Sequence, residues 1–467
     1  MAQTKARISA NLFSNRILER NAKLGLNACE ILASAVQAVD SYDCVFGSIK
    51  IKNNLIQINN QLIDLTVINR IFLIGFGKAS VPMAKALLDK LDGKIHQACV
   101  VTKDPKFLTE NGYRNKLSVY LGGHPVPTEA SIKSTQIILQ RLPKLTEKDL
   151  VFVLISGGGS ALFTEPVSGV SLTDLRILTQ TLLNCGAEIK EINTLRKHLD
   201  QVKGGRLAKR LQPASVQALI LSDVIGDHLD MIASGPTVPD PTTFQDALEI
   251  LDRYDIKSAV PSTILRYLED GKKGGEPEIL KPGNCPAGRV GHHLVGTNYS
   301  AADAARRQAK KLGYRAEIVT TTLTESTEEI ANYLDCVLQN KRANRHLSGQ
   351  PVCLIFGGEP TVKVMGDGLG GRNMDLTLRM VSKLAGISGV LFISFATDGE
   401  DGPTDAAGAA ADGLLYDEGK EVFGLDIQAF IKNSDSYHYF EKVGGLIKSG
   451  ATGTNVNDLM FFLINKQ

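Results

Sequence analysis

Several turns of this chain collect the residue types that bind anions, move protons or hold hard cations. In "GFGKAS", residues 75–80, Lys78 follows Gly75 and Gly77 just after the apolar run "RIFLI". This is not a P-loop, which needs four residues between its glycines and then Lys-Ser/Thr. The physics of an anion site survives: glycines let backbone N–H groups come close, a helix opening near Lys78 adds its N-terminal dipole, and the lysine adds charge. The alternative is a tight strand-to-helix turn. In "SGGGS", Ser156, Gly157, Gly158, Gly159 and Ser160 suit either a nest of N–H donors for phosphate or carboxylate, or a close helix-strand approach. In "LSDVIGD", Asp223 sits at a strand end with Asp227 and His228 nearby, where a carboxylate binds Mg²⁺, takes a proton from a hydroxyl, or caps the next turn.

Further turns lie in the second half. "FGGEPTVKVMGDGLGGRN" carries Glu359 and, directly after its last glycine, Arg372, whose rigid fork suits a transferring phosphoryl group. Its glycines at 366, 368 and 371 satisfy GxGxxG, but no ribose-binding acid follows about 20 residues on. "ATDGEDGPTDAAGA" places Asp398, Glu400, Asp401 and Asp405 in one turn, a set that suits either a hard cation or solvent. Asn298 in "VGTNYS" and Asn455 in "SGATGTNVNDL", beside Thr454 and Asp458, complete the binding candidates. Anion-binding backbone, Lys and Arg for phosphate, and carboxylates for Mg²⁺ are the parts of phosphoryl transfer. No GxSxG elbow, HExxH or His-rich cluster supports a hydrolase.

The turns need a scaffold, and its signature is regular. Five apolar runs, "IFLIGFGK", "LVFVLISGGGS", "VQALILSDVIGD", "VCLIFGGEP" and "VLFISFATDGEDG", read as buried strands, each ending in glycine or a polar turn. Helix-period segments such as "KASVPMAKALLDKL" and "NMDLTLRMVSKLAG" lie between them. The alternation predicts an α/β fold with largely parallel sheets and ligands beyond the strands' carboxyl ends. Residues 271–289, with five Gly and three Pro, mark the expected break, giving domains 1–284 and 285–467. "SIKIKNNLIQINNQLIDL" reads as an extra hairpin.

At 467 residues the chain has length and apolar content (43 %) for two or three domains. The 52 Lys+Arg and 50 Asp+Glu nearly cancel, which argues against nucleic acid or an anionic membrane as partner. Seven cysteines without a CxxC pair suggest a reduced, cytoplasmic setting. "MAQTKARISANLFSNRIL", basic and without acids, reads either as a mitochondrial presequence or as the start of a first helix. Small-molecule substrates and a monomer or homodimer are expected.

In combination, "GFGKAS", "HPVPTEAS", "SGGGSAL", "RKHLDQVKGGRLA", "LSDVIGDHLDMIASGPTVPDP", "FGGEPTVKV", "GGRN", "ATDGEDGPTDAAGA" and "TGTNVND" resemble the class II glycerate kinases, whose C-terminal region is called MOFRL. The match runs from about residue 8 to about 462. It implies two α/β domains with the active site in the cleft between them, and ATP- and Mg²⁺-dependent phosphorylation of D-glycerate, usually at the 2-hydroxyl. By motif position it implies roles for Lys78, Asp223, Glu359, Arg372 and Asn455. The chain departs from compact members in a longer Gly/Pro-rich linker and a longer "QNKRANRHLSGQ". A hydroxypyruvate reductase and a non-catalytic metabolite-binding module are the competing readings.

Overall fold

The computed structural model describes residues 8–283, 289–343 and 349–466. Its contacts divide into two compact units. The N-terminal unit comprises residues 41–222 and 227–295, and the C-terminal unit residues 8–40, 223–226 and 296–466.

In the N-terminal unit β1 (Ile49–Lys52), β2 (Leu55–Ile58) and β3 (Gln61–Asp64) form an antiparallel meander. It is the expected hairpin with one strand more. Asn53 and Asn54 join β1 to β2 at φ 49° and 62°, the left-handed pair a two-residue hairpin turn requires. The main sheet contains β4 (Arg70–Phe76), β5 (Ile95–Thr102), β6 (Leu117–Leu121), β7 (Asp149–Ile155), β8 (Ser215–Leu221) and β9 (Val290–Gly296). Their order is β6-β5-β4-β7-β8-β9, and β4 to β8 pair in parallel. Residues 71–76 of β4 and all of β7 are buried, as expected where helices cover both faces of a sheet. The chain runs outward from β4 to one edge and from β7 to the other, so the order reverses between β4 and β7. Beyond the carboxyl ends of these two strands lies the crevice where such sheets bind ligands.

The C-terminal unit holds β10 (Arg315–Leu323), β11 (Val352–Gly358), β12 (Val390–Ala396), β13 (Gly408–Asp412), β14 (Leu446–Ile447) and β15 (Asp458–Ile464), in the order β10-β11-β15-β12-β13-β14. Its directions are mixed where the alternation of elements reads as parallel. β10 and β11 are parallel, but β15 runs antiparallel between β11 and β12, and β13 and β14 add antiparallel pairs. "DLMFFLI" is buried throughout, and a central strand of either direction has that composition. The reversal matters: Asp458, the first residue of β15, pairs with Gly358 at the end of β11 and with Ala396 at the end of β12. The turns after β11 and β12 thus meet the turn before β15 at one edge.

Two segments singled out by their composition take definite places. The cut at 284/285 falls outside the described residues. Before it, residues 276–281 are no loose linker, since Ile279 and Leu280 are buried, and Leu280 N–H donates to the Gly204 carbonyl. From residue 8 onward the basic amino terminus is folded core of the C-terminal unit. Phe13, Ile17 and Leu18 are buried, helices Arg16–Arg20 and Lys23–Gln37 follow, and Arg20 bonds Asp412 at 2.8 Å. Cysteines 29, 99, 185, 336 and 353 are free, and Cys285 lies outside the described residues. Among the described residues no helix is long and apolar enough to cross a membrane.

Candidate active site

At the reversal of strand order in the N-terminal unit, "GFGKAS" leaves β4 and "SGGGS" leaves β7, so the two glycine turns are neighbours. Gly77 has φ +121°, and a Cβ there would overlap the Ser156 hydroxyl, so only glycine fits. Lys78 N–H donates to the Gly157 carbonyl (2.9 Å) and Ala79 N–H to Ser156 Oγ (3.1 Å), clamping one turn to the other. Helix Ser80–Leu91 starts directly after. Gly75 is packed between Val100 and Leu154, inside the sheet. The "SGGGS" turn is only partly a nest: Ser156 N–H is bonded to the Phe76 carbonyl and Gly159 N–H to the Ser156 carbonyl. Gly158 sits against the His124 ring, and Ser160 Oγ lies 2.9 Å from Ser234 Oγ.

Lys78 is half-buried, and among the described residues its ammonium has neither a hydrogen-bond nor an ion-pair partner. Burial, with Lys78 and Lys103 adding positive charge, pulls His124 down to about 4, so its ring is neutral at pH 7. The turn thus presents uncompensated positive charge beside a neutral imidazole.

The convergent edge of the C-terminal unit is built in the opposite way. Arg372, first residue of helix Arg372–Leu384, donates from Nε to Asp458 Oδ2 (2.5 Å), from Nη2 to Asp458 Oδ1 (3.2 Å) and from Nη1 to Glu359 Oε1 (2.9 Å). Burial works against its charge, but Asp458 and Glu359 outweigh burial and raise its pKa. Asp458 is fully buried, and burial pushes its carboxyl up to about 6 although Arg372 pulls it down. Asp401 closes the helix: its carboxylate accepts from Asn373 N–H (3.0 Å), Asn373 Nδ2 (3.2 Å) and Met374 N–H (2.8 Å). Burial raises it to about 7, against those three donors. A Cβ at Gly371 would strike the Asp401 carboxyl, which explains the glycine before the arginine.

Other candidates take their places around this edge. Asn455 Oδ1 accepts from Asn457 N–H (3.0 Å), and Asn457 Nδ2 donates to the Asp223 carbonyl (2.7 Å). Asp223, expected beside Lys78, therefore groups with the C-terminal unit although it follows β8. Asn298 is buried, its amide donating to the carbonyls of Val456 (2.8 Å) and Asp458 (2.9 Å). Its role in the structure is to hold the turn before β15. Asp398 Oδ1 accepts from Glu400 N–H (3.1 Å), and Asp405 bonds Tyr437 and Lys448. The acidic turn is dispersed, and among the described residues no group of three or more His, Cys, Asp or Glu is placed to hold a metal. "GDGLGG" follows no strand directly, and Gly366, Gly368 and Gly370 pack on residues 433–436. It is a packing loop, not a dinucleotide turn.

Sequence reasoning passed over Asp458 as the partner of Arg372, Asp401 as a helix cap and His124. All three lie in motifs that carry the resemblance, His124 in "HPVPTEAS", Asp401 in "ATDGEDGPTDAAGA" and Asp458 in "TGTNVND", but nothing in those motifs indicates the partners.

Residues 27–269 match the family model "Domain of unknown function (DUF4147)" and residues 352–458 the MOFRL family. The chain is 42 % identical to the D-glycerate 2-kinase of Thermotoga maritima over 94 % of this chain and 97 % of the relative. It is 39 % identical to the glycerate 2-kinase of Pyrococcus horikoshii over 94 % and 96 %, and 34 % identical to the glycerate kinase of Bos taurus over 92 % and 90 %. A crystal structure of the Thermotoga maritima glycerate kinase superposes with a TM-score of 0.82 at 40 % identity, covering 94 % of this chain and 98 % of that one. The chain belongs to the glycerate kinase family.

Proposed function

We infer that this protein is a kinase that transfers the terminal phosphoryl group of ATP to D-glycerate, at the 2-hydroxyl, giving 2-phosphoglycerate. The observation that carries the chemistry is Lys78. An ammonium held half-buried at a strand-order reversal, with no acid among the described residues to neutralise it, is arranged for an anionic ligand. Its charge offsets what gathers on the transferring phosphoryl oxygens, an effect that belongs to the transition state and is read in turnover. "SGGGS" fixes the lysine backbone and lends the remaining N–H groups of its turn.

In the C-terminal unit Arg372 is assigned an orienting part. Three of its five N–H donors are occupied by Asp458 and Glu359, which leaves one on each terminal nitrogen for a phosphoryl oxygen. Asp223 is assigned to orient the acceptor hydroxyl and receive its proton, a task a carboxylate can perform because the phosphoryl transition state is loose.

Mg²⁺ fits the donor set as an ion carried with the nucleotide. It commonly takes one or two carboxylates with phosphate oxygens and water, not a protein cage. Asp458 and Glu359 together face the single Arg372, so the edge carries an acid excess that suits a cation. Glu359 and Asp398 are the residues that would hold it, and it would supply charge neutralisation on the phosphates. Cytoplasmic residence is the reading we retain.

The test is direct. Purified protein given ATP, Mg²⁺ and D-glycerate is expected to turn over ATP. Given NADH and hydroxypyruvate it is expected to leave NADH unchanged. The reverse pattern would establish the reductase.

A further inference from the structure

The stretch "RKHLDQVKGGRLAKR", residues 196–210, is crowded with cations, and the structure accounts for all the buried ones except the first. Lys197, nearly buried, is paired with Asp240 and Asp230, and Lys203 with Asp200. His198 meets Glu278 (3.1 Å), Arg210 meets Glu165 (2.6 Å), and Arg206 donates to the carbonyls of His198 (3.1 Å) and Asp200 (3.0 Å). Arg196, in the last turn of helix Ile189–His198, is half-buried, yet among the described residues it has no hydrogen bond, ion pair or ring contact. Burial holds its pKa below the ordinary value, and no acid opposes that. It is also close enough to Lys203 for its charge to help lower that ammonium, after burial and against Asp200. A half-buried guanidinium with five idle donors is expensive unless something outside the chain meets it. Its nitrogens are not among the sealed, unpartnered atoms, so they reach solvent.

The helix that carries Arg196 leads towards the glycine turns. Asn193, one helical step away on the same face, points at Met231 (Nδ2 to Sδ, 3.5 Å). The turn after Met231 holds two non-glycine residues in the left-handed region, Ala233 at φ 50° and Ser234 at φ 62°. Strain of this kind concentrates at functional sites. Ser234 Oγ is the partner of Ser160 Oγ in "SGGGS", and Ala233 lies against Gly159. The helix face that carries Asn193 and, one turn on, Arg196 thus packs beside the strained turn that abuts the loop after β7.

We propose that Arg196 is the residue that binds the carboxylate of the acceptor, its planar fork giving two parallel N–H bonds to the two oxygens. The inference rests on the D-glycerate kinase reading. It assigns the specificity for an acid, as against a neutral polyol, to one side chain that none of the phosphoryl-transfer roles uses.

The experiment compares wild type, Arg196→Gln and Arg196→Lys with D-glycerate and with glyceramide, in which a neutral amide replaces the carboxylate. Arg196→Gln is expected to raise KM for D-glycerate on the order of 10- to 100-fold and to leave KM for ATP unchanged. The preference for D-glycerate over glyceramide shrinks by a similar factor, and Arg196→Lys, which keeps the charge and loses the fork, falls between. An unchanged preference overturns the proposal, as does a rise in KM for ATP instead, which would assign Arg196 to the nucleotide phosphates. A wild type inactive on D-glycerate would remove the kinase reading itself, whereas an active wild type beside an unaltered variant removes only Arg196. On unmutated protein, phenylglyoxal labelling of Arg196 mapped by mass spectrometry is expected to be blocked by D-glycerate alone. Labelling that D-glycerate leaves untouched counts against the assignment.

Discussion

The turns around Lys78 and around Arg372 both set a cation at the mouth of a sheet, and they treat its charge in opposite ways. Lys78 is anchored only through its backbone, by Gly157, and its ammonium is left without an acid among the described residues. Arg372 is gripped through its side chain by Asp458 and Glu359. An unpaired charge in a half-buried site adds little to stability and keeps its donors open. A paired charge contributes to the fold and can only orient what arrives. The contrast teaches that position at a strand end is not enough to assign a role, because the same location hosts one cation without an acid partner among the described residues and another already paired.

Mutation separates the two. Lys78→Ala is expected to lower turnover by about two or more orders of magnitude while changing stability by no more than about 0.5 kcal/mol, since it breaks no side-chain hydrogen bond or ion pair among the described residues. A melting temperature that collapsed while turnover survived would make "GFGKAS" a structural turn and erase the contrast.

Arg372→Lys is expected to be smaller in turnover, on the order of 10- to 100-fold, because the charge stays and the orienting fork is lost. Unlike the lysine variant it should also lose about 1–3 kcal/mol of stability, measured by denaturant unfolding, as buried Asp458 keeps only part of its partner. Equal stability losses in the two variants would show that Lys78 has a structural partner after all.

The smallest effect sharpens the electrostatics. The His124 ring, followed by NMR, should titrate near its lowered value of about 4, and in Lys78→Ala the midpoint should rise towards the ordinary 6.5 without reaching it, because burial and Lys103 remain. The unfolded chain takes up a proton at His124 between about pH 6.5 and 4 that the folded chain refuses. Its contribution to stability is therefore complete above that window and lost as pH falls through it. An unmoved midpoint would separate Lys78 from His124.

Much of this was legible in sequence because it is local. The runs ending at Phe76, Ile155, Leu221, Gly358 and Ala396 announced strands by their apolar content, and each does close a strand of the structure. What escaped was set by long-range partners. Nothing near Arg372 points to Asp458, 86 residues on, as its ligand. Residues 8–40 gave no sign of joining the C-terminal unit, because Asn27 meeting Tyr314 leaves no periodic trace. The acidic turn at 398–405 was ambiguous for a different reason: a capping Asp401, an ion-paired Asp405 and a metal-binding pair have the same composition.

The most direct measurement is ³¹P NMR of the reaction of purified wild type with ATP, Mg²⁺ and D-glycerate. The predicted result is loss of the ATP γ-phosphate signal and growth of one phosphomonoester resonance that coincides with added 2-phosphoglycerate. A resonance coinciding with 3-phosphoglycerate would contradict the assigned hydroxyl, and an ATP spectrum that does not change would contradict the kinase.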